Sequence, residues 1–234
     1  MTKFFKNLYR LILIGSPIFI IFNYIRNFLP NYKTKKKSKK IENMIYKKFQ
    51  SINYKEKWFC NNLNYLSVNF KNIENVRDIL EIGSYEGRSA IFFLKKFSDS
   101  NITCIDTWAG SDEHTNINFE LIEKNFDLNT SFYQSNNILF KHKMTSNEFF
   151  KKNHKYFDLI YVDGDHTSNQ VKIDLINSWN ALKKGGFLVL DDYMWWFYKD
   201  LKKNPSTPIN NFIKENKPNI SKLIVWHQVI IQKS

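Results

Sequence analysis

The chain has 234 residues, of which 43% are hydrophobic and 24% are charged, and its formal net charge is +13. This length fits one α/β domain with a short extension, and the hydrophobic content is enough for a packed core, which excludes a globally disordered chain. The two cysteines, Cys60 and Cys104, are too few for a disulfide framework or a cysteine metal site. Cys104 lies in an apolar run, where we expect it to be buried.

The positive charge is concentrated near the N-terminus. Residues 1–48 contain 12 Lys and Arg and a single acid, Glu42, whereas residues 49–234 contain 23 basic and 21 acidic residues. The net charge is therefore +11 for the first segment and only +2 for the remainder. Because the larger segment is almost neutral, the sequence argues against a nucleic-acid partner for the protein as a whole.

The N-terminal arm, residues 1–40, combines an apolar segment with a lysine cluster. Residues 11–25 carry no charge, but these 15 residues are fewer than the roughly 20 that a helix needs to cross a bilayer, and Pro17 would kink a helix there. Residues 33–40 contain six lysines, and such a cluster beside an apolar segment is typical of attraction to anionic lipid. We therefore predict an arm that lies on the membrane or marginally spans it, and that keeps the domain at the cytoplasmic face.

Two other interpretations of the arm remain open. Its apolar segment could be a helix that packs on the domain, or on a partner subunit of a homo-oligomer, with the lysines as a solvated linker. The lysine cluster could instead bind nucleic acid.

Downstream of the arm, strand and helix patterns alternate. Residues 41–76 are predicted to be a helical lead-in, with helices at 41–49 and 55–66, and residues 77–234 to be one domain. The predicted strands are 78–82, 102–107, 138–143, 157–162, 187–190, 222–226 and 229–232, and the predicted helices among them are 87–97, 119–126, 147–152 and 168–182. This alternation predicts an α/β fold with a Rossmann-like, doubly wound, mostly parallel sheet of seven strands.

The first predicted strand ends in a glycine loop with the pattern Glu81-x-Gly83-x-x-x-Gly87-x-Ser89. We expect Gly83 to allow a tight turn and Gly87 to let a ligand approach the start of the next helix. An acid at position 81 would repel a pyrophosphate but would suit a cationic amino group. Asp106 ends the second strand, where an acid can accept both hydroxyls of a ribose. A nucleoside that carries an amino acid instead of a phosphate matches both acids, and that molecule is S-adenosylmethionine.

This pattern resembles class I S-adenosylmethionine-dependent methyltransferases over about residues 77–192, half of the chain. The resemblance implies a cofactor site formed by Glu81, Gly83, Ser84, Tyr85, Gly87 and Ser89 on the methionine side and by Asp106, Thr107, Trp108, Thr145 and Ser146 around the ribose and adenine. The alternative is that Glu81 is a buried carboxylate without a ligand and that Asp106 only caps a turn.

Acidic residues also follow the fourth and fifth predicted strands. Asp163 comes directly after the run 157–162, and Asp191 and Asp192 come after 187–190. Neighbouring strands lie about 4.8 Å apart, so acids at their adjacent ends can converge on one divalent ion. Because three clustered carboxylates repel one another, we expect a cation or a bound proton among them.

The acidic pairs Val162-Asp163-Gly164-Asp165 and Asp191-Asp192 resemble those of metal-dependent O-methyltransferases of the catechol, caffeoyl and macrolide-sugar types. That resemblance implies that Asp163, Asp191 and Asp192 bind Mg²⁺ or a similar ion and that two vicinal hydroxyls of the acceptor complete its ligand shell. His166 or Asp165 would then take the proton of the acceptor hydroxyl. A metal-free site, and a His166 that only helps to cap the next helix, are the alternatives.

Taken together, these motifs predict an S-adenosylmethionine-dependent O-methyltransferase that acts on a glycan or small polyhydroxyl acceptor. Asp192 and Tyr193 replace the residues of the catechol type, which favours a sugar or polyol over a planar phenol. The aromatic run 195–198 begins a predicted loop that extends to Pro205 and Pro208, and its rings either pack internally or stack on a sugar. A hydroxylase-like enzyme of the same fold and a non-catalytic, membrane-tethered binding module are the competing functions.

Overall fold

The computed structural model describes residues 2–30, 59, 63–111, 114 and 117–234. The lysine cluster at 33–40, the helix predicted at 41–49 and most of the helix predicted at 55–66 lie outside the described residues. The end of that last prediction falls on a helix at Leu63–Asn69. The domain boundaries at residues 40 and 76 remain predictions.

Helices and strands alternate along the described chain. The helices are α1 (Thr2–Leu13), α2 (18–30), α3 (Leu63–Asn69), α4 (Arg88–Lys96), α5 (Phe119–Ser135), α6 (Ser146–Lys152), α7 (Ser168–Ala181) and α8 (Ser206–Glu215). The strands are β1 (Asp78–Ile82), β2 (Asn101–Asp106), β3 (Leu139–Lys143), β4 (Phe157–Val162), β5 (Leu182–Leu190), β6 (Ile220–Val225) and β7 (Val229–Lys233). All seven predicted strands are present.

The strands form one sheet in the order β3-β2-β1-β4-β5-β7-β6. Strands β1 to β5 are parallel, and β7 runs antiparallel to both β5 and β6. This arrangement confirms the predicted Rossmann-like, mostly parallel sheet with flanking helices. The strands read as continuous apolar runs because both faces of the sheet are covered, and Leu80, Ile160 and Leu188 are fully buried.

The carboxyl ends of the four central strands are level. Ile82 of β1 pairs with Ile105 of β2 and with Val162 of β4, and Val162 pairs in turn with Leu190 of β5. The residues that follow these positions therefore emerge together at one edge of the sheet. The strand order reverses between β1 and β4, and the crevice beside such a reversal is where open α/β sheets bind ligands.

Three elements differ from the sequence prediction. Helix α5 continues to Ser135, nine residues beyond its predicted end, and Asn129 on this extension donates a side-chain hydrogen bond to the Glu86 carbonyl. Strand β5 begins at Leu182, because residues predicted as a helix stop continue directly as strand. Helix α8 begins at Ser206, inside the loop that the sequence predicted to extend to Pro208; the proline lies in the first turn, where its missing N–H costs no intrahelical bond.

The apolar part of the arm folds as two helices, α1 and α2. Helix α1 ends in a Schellman motif, in which Ser16 N–H donates to the Leu11 carbonyl and Gly15 N–H donates to the Ile12 carbonyl, with Gly15 at φ 68°. Helix α2 follows directly after Pro17. The expectation that Pro17 would kink a single helix is therefore wrong, because the chain already reverses at Gly15. Among the described residues, no helix is both long and apolar enough to span a membrane.

The α1–α2 hairpin is docked on the edge of the sheet. Asn23 of α2 donates to the Leu223 carbonyl at 3.0 Å and accepts from Val225 N–H at 2.8 Å, so its amide satisfies backbone groups of the edge strand β6. Tyr24 stacks on Trp226 with ring centroids 5.4 Å apart. The inner face of the hairpin is therefore packed on its own domain. This was one of the interpretations of the arm that the sequence left open.

Candidate active site

A cavity of about 910 Å³ lies at the carboxyl edge of the sheet, beside the reversal of strand order. Fourteen of the sixteen residues that the sequence singled out line it: Gly83, Ser84, Tyr85, Ser89, Asp106, Thr107, Trp108, Thr145, Ser146, Asp163, Asp165, His166, Asp191 and Asp192. The other two, Glu81 and Gly87, are not among the residues that line it. The sequence therefore placed the site at the correct edge, although lining a cavity does not by itself assign a role.

The loop after β1 is held against β2 by Asp106. One carboxylate oxygen of Asp106 accepts from the N–H groups of Ser84 and Tyr85, both at 2.9 Å, and the other accepts from Trp108 N–H at 2.7 Å. Asp106 thus caps the glycine loop, as the alternative interpretation expected. Because a carboxylate has about four acceptor positions, the side chain keeps capacity for a ligand in the cavity.

Gly83 is required by a close approach between two loops. Its φ is 86°, and a Cβ at this position would lie 2.0 Å from the carbonyl oxygen of Asp163. The glycine therefore allows the β1 loop to touch the backbone of the β4 loop, which carries the acidic cluster. This contact fixes the two halves of the cavity relative to each other.

We predict that Gly83→Ala destabilises the fold by roughly 3 kcal/mol or more, because it combines an unfavourable φ with a backbone clash. Gly185→Ala is the matched control: its φ is 78°, but no atom lies within 4 Å of the added Cβ, so we expect a loss of about 1 kcal/mol. Urea unfolding of both variants measures the difference. Equal losses would show that the approach of the two loops contributes nothing.

Gly87 has a different role from the one the sequence suggested. Its φ is 78°, and an added Cβ would lie 2.8 Å from the Thr130 side chain and 3.1 Å from the Phe126 ring on α5. The expectation that Gly87 lets a ligand approach is therefore replaced by a packing reason: it allows α5 to pack closely against the start of α4.

Glu81 lies under the glycine loop, fully buried. Its Oε2 accepts from the Cys104 thiol at 3.4 Å, whereas Oε1 has no hydrogen-bond partner among the described residues. The neighbouring Ser84 hydroxyl is close enough to favour the charged form of Glu81, but it makes no hydrogen bond of good geometry among the described residues. Burial raises the pKa of Glu81 to about 7, and the side chains of Ser84, Ser89 and Cys104 offset part of that rise.

Two aromatic residues of the cavity have left-handed backbones. Tyr85 has φ 48° and Trp108 has φ 47°, and the Trp108 indole N–H donates to the Tyr85 carbonyl at 2.9 Å. Such conformations cost about 1–3 kcal/mol in a non-glycine residue, and they are concentrated at functional sites. The Trp108 ring is also held by Phe126, at a centroid distance of 4.9 Å, and by Lys141, whose Nζ lies 4.6 Å from the ring centroid. The indole is therefore fixed as part of the cavity wall.

The acids after β4 and β5 do converge, but they do not play equivalent parts. Asp191 is buried, and its two oxygens accept from the Tyr161 hydroxyl and from Asp192 N–H. The same Tyr161 hydroxyl lies 3.2 Å from a carboxylate oxygen of Asp163. Burial first, and then the charges of Asp163 and Asp192, raise the pKa of Asp191 well above its usual value. Asp191 therefore faces the sheet more than the cavity.

Asp163, His166 and Asp192 form the group that could hold a metal ion, with one ligand atom of each lying within 4.8 Å of the others. His166 Nε2 is 3.1 Å from a carboxylate oxygen of Asp192 and 3.5 Å from one of Asp163. The predicted ligand set was Asp163, Asp191 and Asp192; it shares Asp163 and Asp192 with this group and names Asp191 where the group has His166. Asp192 has φ 51°, and this left-handed turn separates the direction of its side chain from that of Asp191.

Asp165 and Thr167 complete the β4 loop as caps. Asp165 is exposed and accepts from Thr167 N–H at 2.7 Å, and the Thr167 hydroxyl accepts from Gln170 N–H at the start of α7. The capping function considered for His166 therefore belongs to its neighbours. This leaves the His166 ring at the two carboxylates of the cluster.

Residues 80–193 match the family model described as a methyltransferase domain. The chain carries a domain of this methyltransferase family. The match spans the glycine loop, the Asp106 turn and the acidic cluster, and it confirms the prediction of a class I S-adenosylmethionine-dependent methyltransferase. No curated protein matches the chain.

Solved structures share the methyltransferase fold. A protein from Staphylococcus aureus, described as a caffeoyl-CoA O-methyltransferase, is 17% identical with a TM-score of 0.56, over 82% of this chain and 91% of that one. An O-methyltransferase from Bacillus cereus in complex with SAH is 14% identical with a TM-score of 0.51, over 86% and 91%. MycE, a methyltransferase of the mycinamycin biosynthetic pathway in complex with Mg, SAH and mycinamycin VI, is 17% identical with a TM-score of 0.50, over 78% and 51%. At these identities the likeness shows the fold alone.

Sequence reasoning missed a polar cluster in this methyltransferase, on the cavity wall beyond β3. Asp174 of α7 is buried and accepts from Ser146 at 2.5 Å and from Gln170 at 2.9 Å. Burial raises the pKa of Asp174 to about 6. Thr145 caps α6 through a capping box with Glu148. Its position in the sequence could have indicated that Asp174 is buried. It directly precedes Leu175, which lies on the helix face that the apolar spacing predicts to be buried.

The aromatic segment after β5 borders the acidic cluster of the methyltransferase. Trp195 lines the cavity, its ring centroid lies 5.1 Å from that of His166, and it stacks on Phe197 at 5.1 Å. Tyr193, in contrast, is fully buried and donates its hydroxyl to Asn210. The argument that Tyr193 favours a polyol acceptor is therefore wrong, because its side chain does not reach the cavity.

Proposed function

We propose that the enzyme is an O-methyltransferase whose cavity binds S-adenosylmethionine, with the amino-acid end at the β1 loop and the nucleoside end at Asp106. The observation that carries this proposal is the pair of buried polar atoms without partners, Oε1 of Glu81 and the hydroxyl of Ser84. Buried polar groups are costly unless something completes their hydrogen bonds. A cationic amino group at this position would satisfy both of them, and it would lower the raised pKa of Glu81.

The residues present also fit a nucleoside at the other end of the cavity. Asp106 keeps about one acceptor position for a ribose hydroxyl, and Trp108 and Met144 supply apolar walls for a flat ring. Thr107, Thr145 and Ser146 line the same end. S-adenosylmethionine, when bound, supplies a methyl group on a cationic sulfur, and the function of these residues is to hold that group in line with the acceptor.

His166 is proposed to take the proton of the acceptor hydroxyl. Its Nε2 lies 3.1 Å from a carboxylate oxygen of Asp192 and 3.5 Å from one of Asp163, and its ring reaches the cavity lining. The acceptor oxygen would therefore lie against His166 on the cavity side. Asp165 is a weaker candidate for this step because it is exposed and already caps the β4 loop.

Asp163 and Asp192 are proposed to hold a divalent cation, such as Mg²⁺, together with an acceptor hydroxyl. The donor set fits, because a carboxylate oxygen of Asp163 and one of Asp192 lie within 4.8 Å of each other at the cavity. Such an ion would lower the pKa of the acceptor hydroxyl and fix its direction. Asp191 would support it from behind, through its hydrogen bonds to Tyr161 and Asp192 N–H.

The acceptor is proposed to be a glycan or a small polyhydroxyl molecule. Support comes from the acidic cluster, which suits vicinal hydroxyls, and from the Trp195 ring beside His166, which can stack on the face of a sugar. MycE, whose complex contains Mg and the macrolide mycinamycin VI, shares the fold. A homo-oligomer, a cytoplasmic location and an anionic membrane partner for residues 1–40 belong to the same proposal.

Titration calorimetry of S-adenosylmethionine into the full chain tests the cofactor, and a methyl-transfer assay with and without EDTA tests the metal. We expect binding in both conditions and loss of methyl transfer only with EDTA, because the cofactor loop and the acidic cluster occupy different parts of the cavity. Failure of the folded protein to bind the cofactor would reject the methyltransferase and favour the binding module. Methyl transfer that persists in EDTA would reject the metal alone.

A further inference from the structure

The outer face of the α1–α2 hairpin is strongly apolar. Eight of the sixteen large hydrophobic side chains that are exposed in the described residues lie on it, although the hairpin is a small part of the chain. They are Phe5, Tyr9, Ile12 and Leu13 on α1 and Ile18, Phe22, Ile25 and Leu29 on α2. Exposed apolar clusters of this kind mark interaction sites in proteins that are otherwise soluble.

These side chains form a helical stripe on each helix. On α2 the spacing is four, three and four residues, from Ile18, 70% exposed, through Phe22, 63% exposed, to Leu29, 62% exposed. The domain cannot cover this stripe, because the opposite face of the hairpin, with Leu11, Ile20 and Tyr24, is already buried against it. The two helices lie side by side, since Phe4 at the start of α1 contacts Phe28 near the end of α2 at 4.1 Å.

We propose that this outer face docks on an anionic lipid bilayer, with both helices lying in the plane of the interface. A helix that holds its inner face on a protein domain can bury only its outer face in lipid. The choice of partner follows from charge: residues 1–48 have a net charge of +11, and six lysines follow α2 within residues 33–40. An anionic surface attracts that charge, at about 1 kcal/mol for each basic residue near it, whereas a second copy of the same arm would repel it.

Docking in this way would place the acceptor side of the cavity near the lipid surface. Arg10 of α1 lies 5.2 Å from the Trp196 ring centroid, and Trp196 adjoins Trp195 on the cavity wall. Ser16, in the turn of the hairpin, accepts from Asn210, which in turn accepts from Tyr193. The hairpin therefore packs on the segment that directly follows the acidic cluster. An acceptor attached to lipid would reach Trp195 and His166 from that side, and this consequence rests on the proposed function.

The test is sedimentation of the full-length protein with vesicles of phosphatidylcholine alone or with phosphatidylglycerol added. We expect binding to the anionic vesicles, and an Ile18→Ser/Phe22→Ser variant should bind them at least about tenfold more weakly because it removes two large apolar anchors. The matched control is Leu128→Ser/Phe132→Ser, which removes two exposed side chains with the same spacing on α5, 55% and 65% exposed, and should bind like the wild type. Calorimetry with S-adenosylmethionine shows whether each variant is folded, and it keeps failure of docking distinct from failure of the proposed function.

Three outcomes would overturn the proposal. Equal binding to neutral and anionic vesicles would show that the positive charge of residues 1–48 does not contribute to docking. Loss of binding in the α5 control variant would place the contact elsewhere. Absence of vesicle binding, together with a wild-type dimer that the Ile18→Ser/Phe22→Ser variant converts to a monomer in analytical ultracentrifugation, would assign the face to a second copy of the chain.

Discussion

Asp163→Asn is expected to reduce methyl transfer by about 10²–10⁴-fold while the affinity for S-adenosylmethionine stays within about twofold. The substitution keeps the size of the side chain and its hydrogen-bonding capacity for Tyr161, so the fold should persist. It removes one of the two negative charges that lie beside His166 Nε2. That loss weakens the binding of a divalent cation at the cluster, whereas the residues proposed to bind the cofactor are not changed. Single-turnover kinetics and calorimetry measure the two effects.

Asp99→Asn is the control for this variant, because Asp99 is an exposed surface acid that pairs with Arg77 outside the cavity, and it should retain full activity. Asp191→Asn provides a sharper comparison. If Asp191 supports the site from behind, its loss should weaken metal binding less than Asp192→Asn does. A larger effect of Asp191→Asn would restore the ligand set that the sequence implied, and full activity of Asp163→Asn would show that the acidic cluster has no part in methyl transfer.

Glu81→Gln is expected to weaken S-adenosylmethionine binding by about 10–100-fold, since it replaces a charge-assisted hydrogen bond to the cofactor amine by a neutral one. The buried position of Glu81 and its Oε1 atom without a partner make this carboxylate the strongest candidate for that amine. Glu120→Gln, in the first turn of α5 and outside the cavity lining, is the control and should bind like the wild type. Wild-type affinity in Glu81→Gln would show that the carboxylate has only a structural role.

The raised pKa of Glu81 also gives a pH dependence with a definite sign. An acid with a pKa of about 7 in the folded state and near 4.5 in the unfolded state is protonated more in the folded protein between these values. The free energy of unfolding should therefore fall as pH rises from about 4.5 to about 7, and this dependence should diminish in Glu81→Gln. Cofactor affinity should move in the opposite direction, rising through pH 7 as the carboxylate becomes charged. Denaturant melts and calorimetry across this range separate the two trends.

Much of the fold and the location of the site could be predicted because both depend on local patterns. Strand β1 and strand β4 have the bounds that their apolar runs indicated, since a run buried on both faces is apolar from end to end. The acids Asp106, Asp163 and Asp191 directly follow such runs, and the level register of the parallel strands brings them to one edge. Knowing where each strand ends was therefore enough to predict which residues meet.

The direction and the partners of those side chains could not be predicted in the same way. Sequence spacing does not distinguish Asp191 from Asp192. Both line the cavity, but Asp191 is the more buried and is bonded to the Tyr161 hydroxyl, whereas Asp192, with its positive φ, lies beside His166. Glycine is required at position 87 because a larger residue would clash with Phe126 on α5, which is 39 residues away in the sequence. Contacts between elements that are distant in the sequence determine side-chain directions and close packing of this kind. The local spacing of apolar residues contains no information about them.

The same division applies to the arm. The sequence by itself determined that residues 1–40 are apolar and basic and that the main domain is nearly neutral, because charge and hydrophobicity are summed along the chain whatever its conformation. Only the tertiary structure decided which apolar residues stay exposed: Asn23 and Tyr24 fix the hairpin on β6 and Trp226, and this docking selects Leu11 and Ile20 for burial and Ile18 and Phe22 for the surface. A helix buries the face that finds a complementary partner, and that partner lies about 200 residues further along the chain.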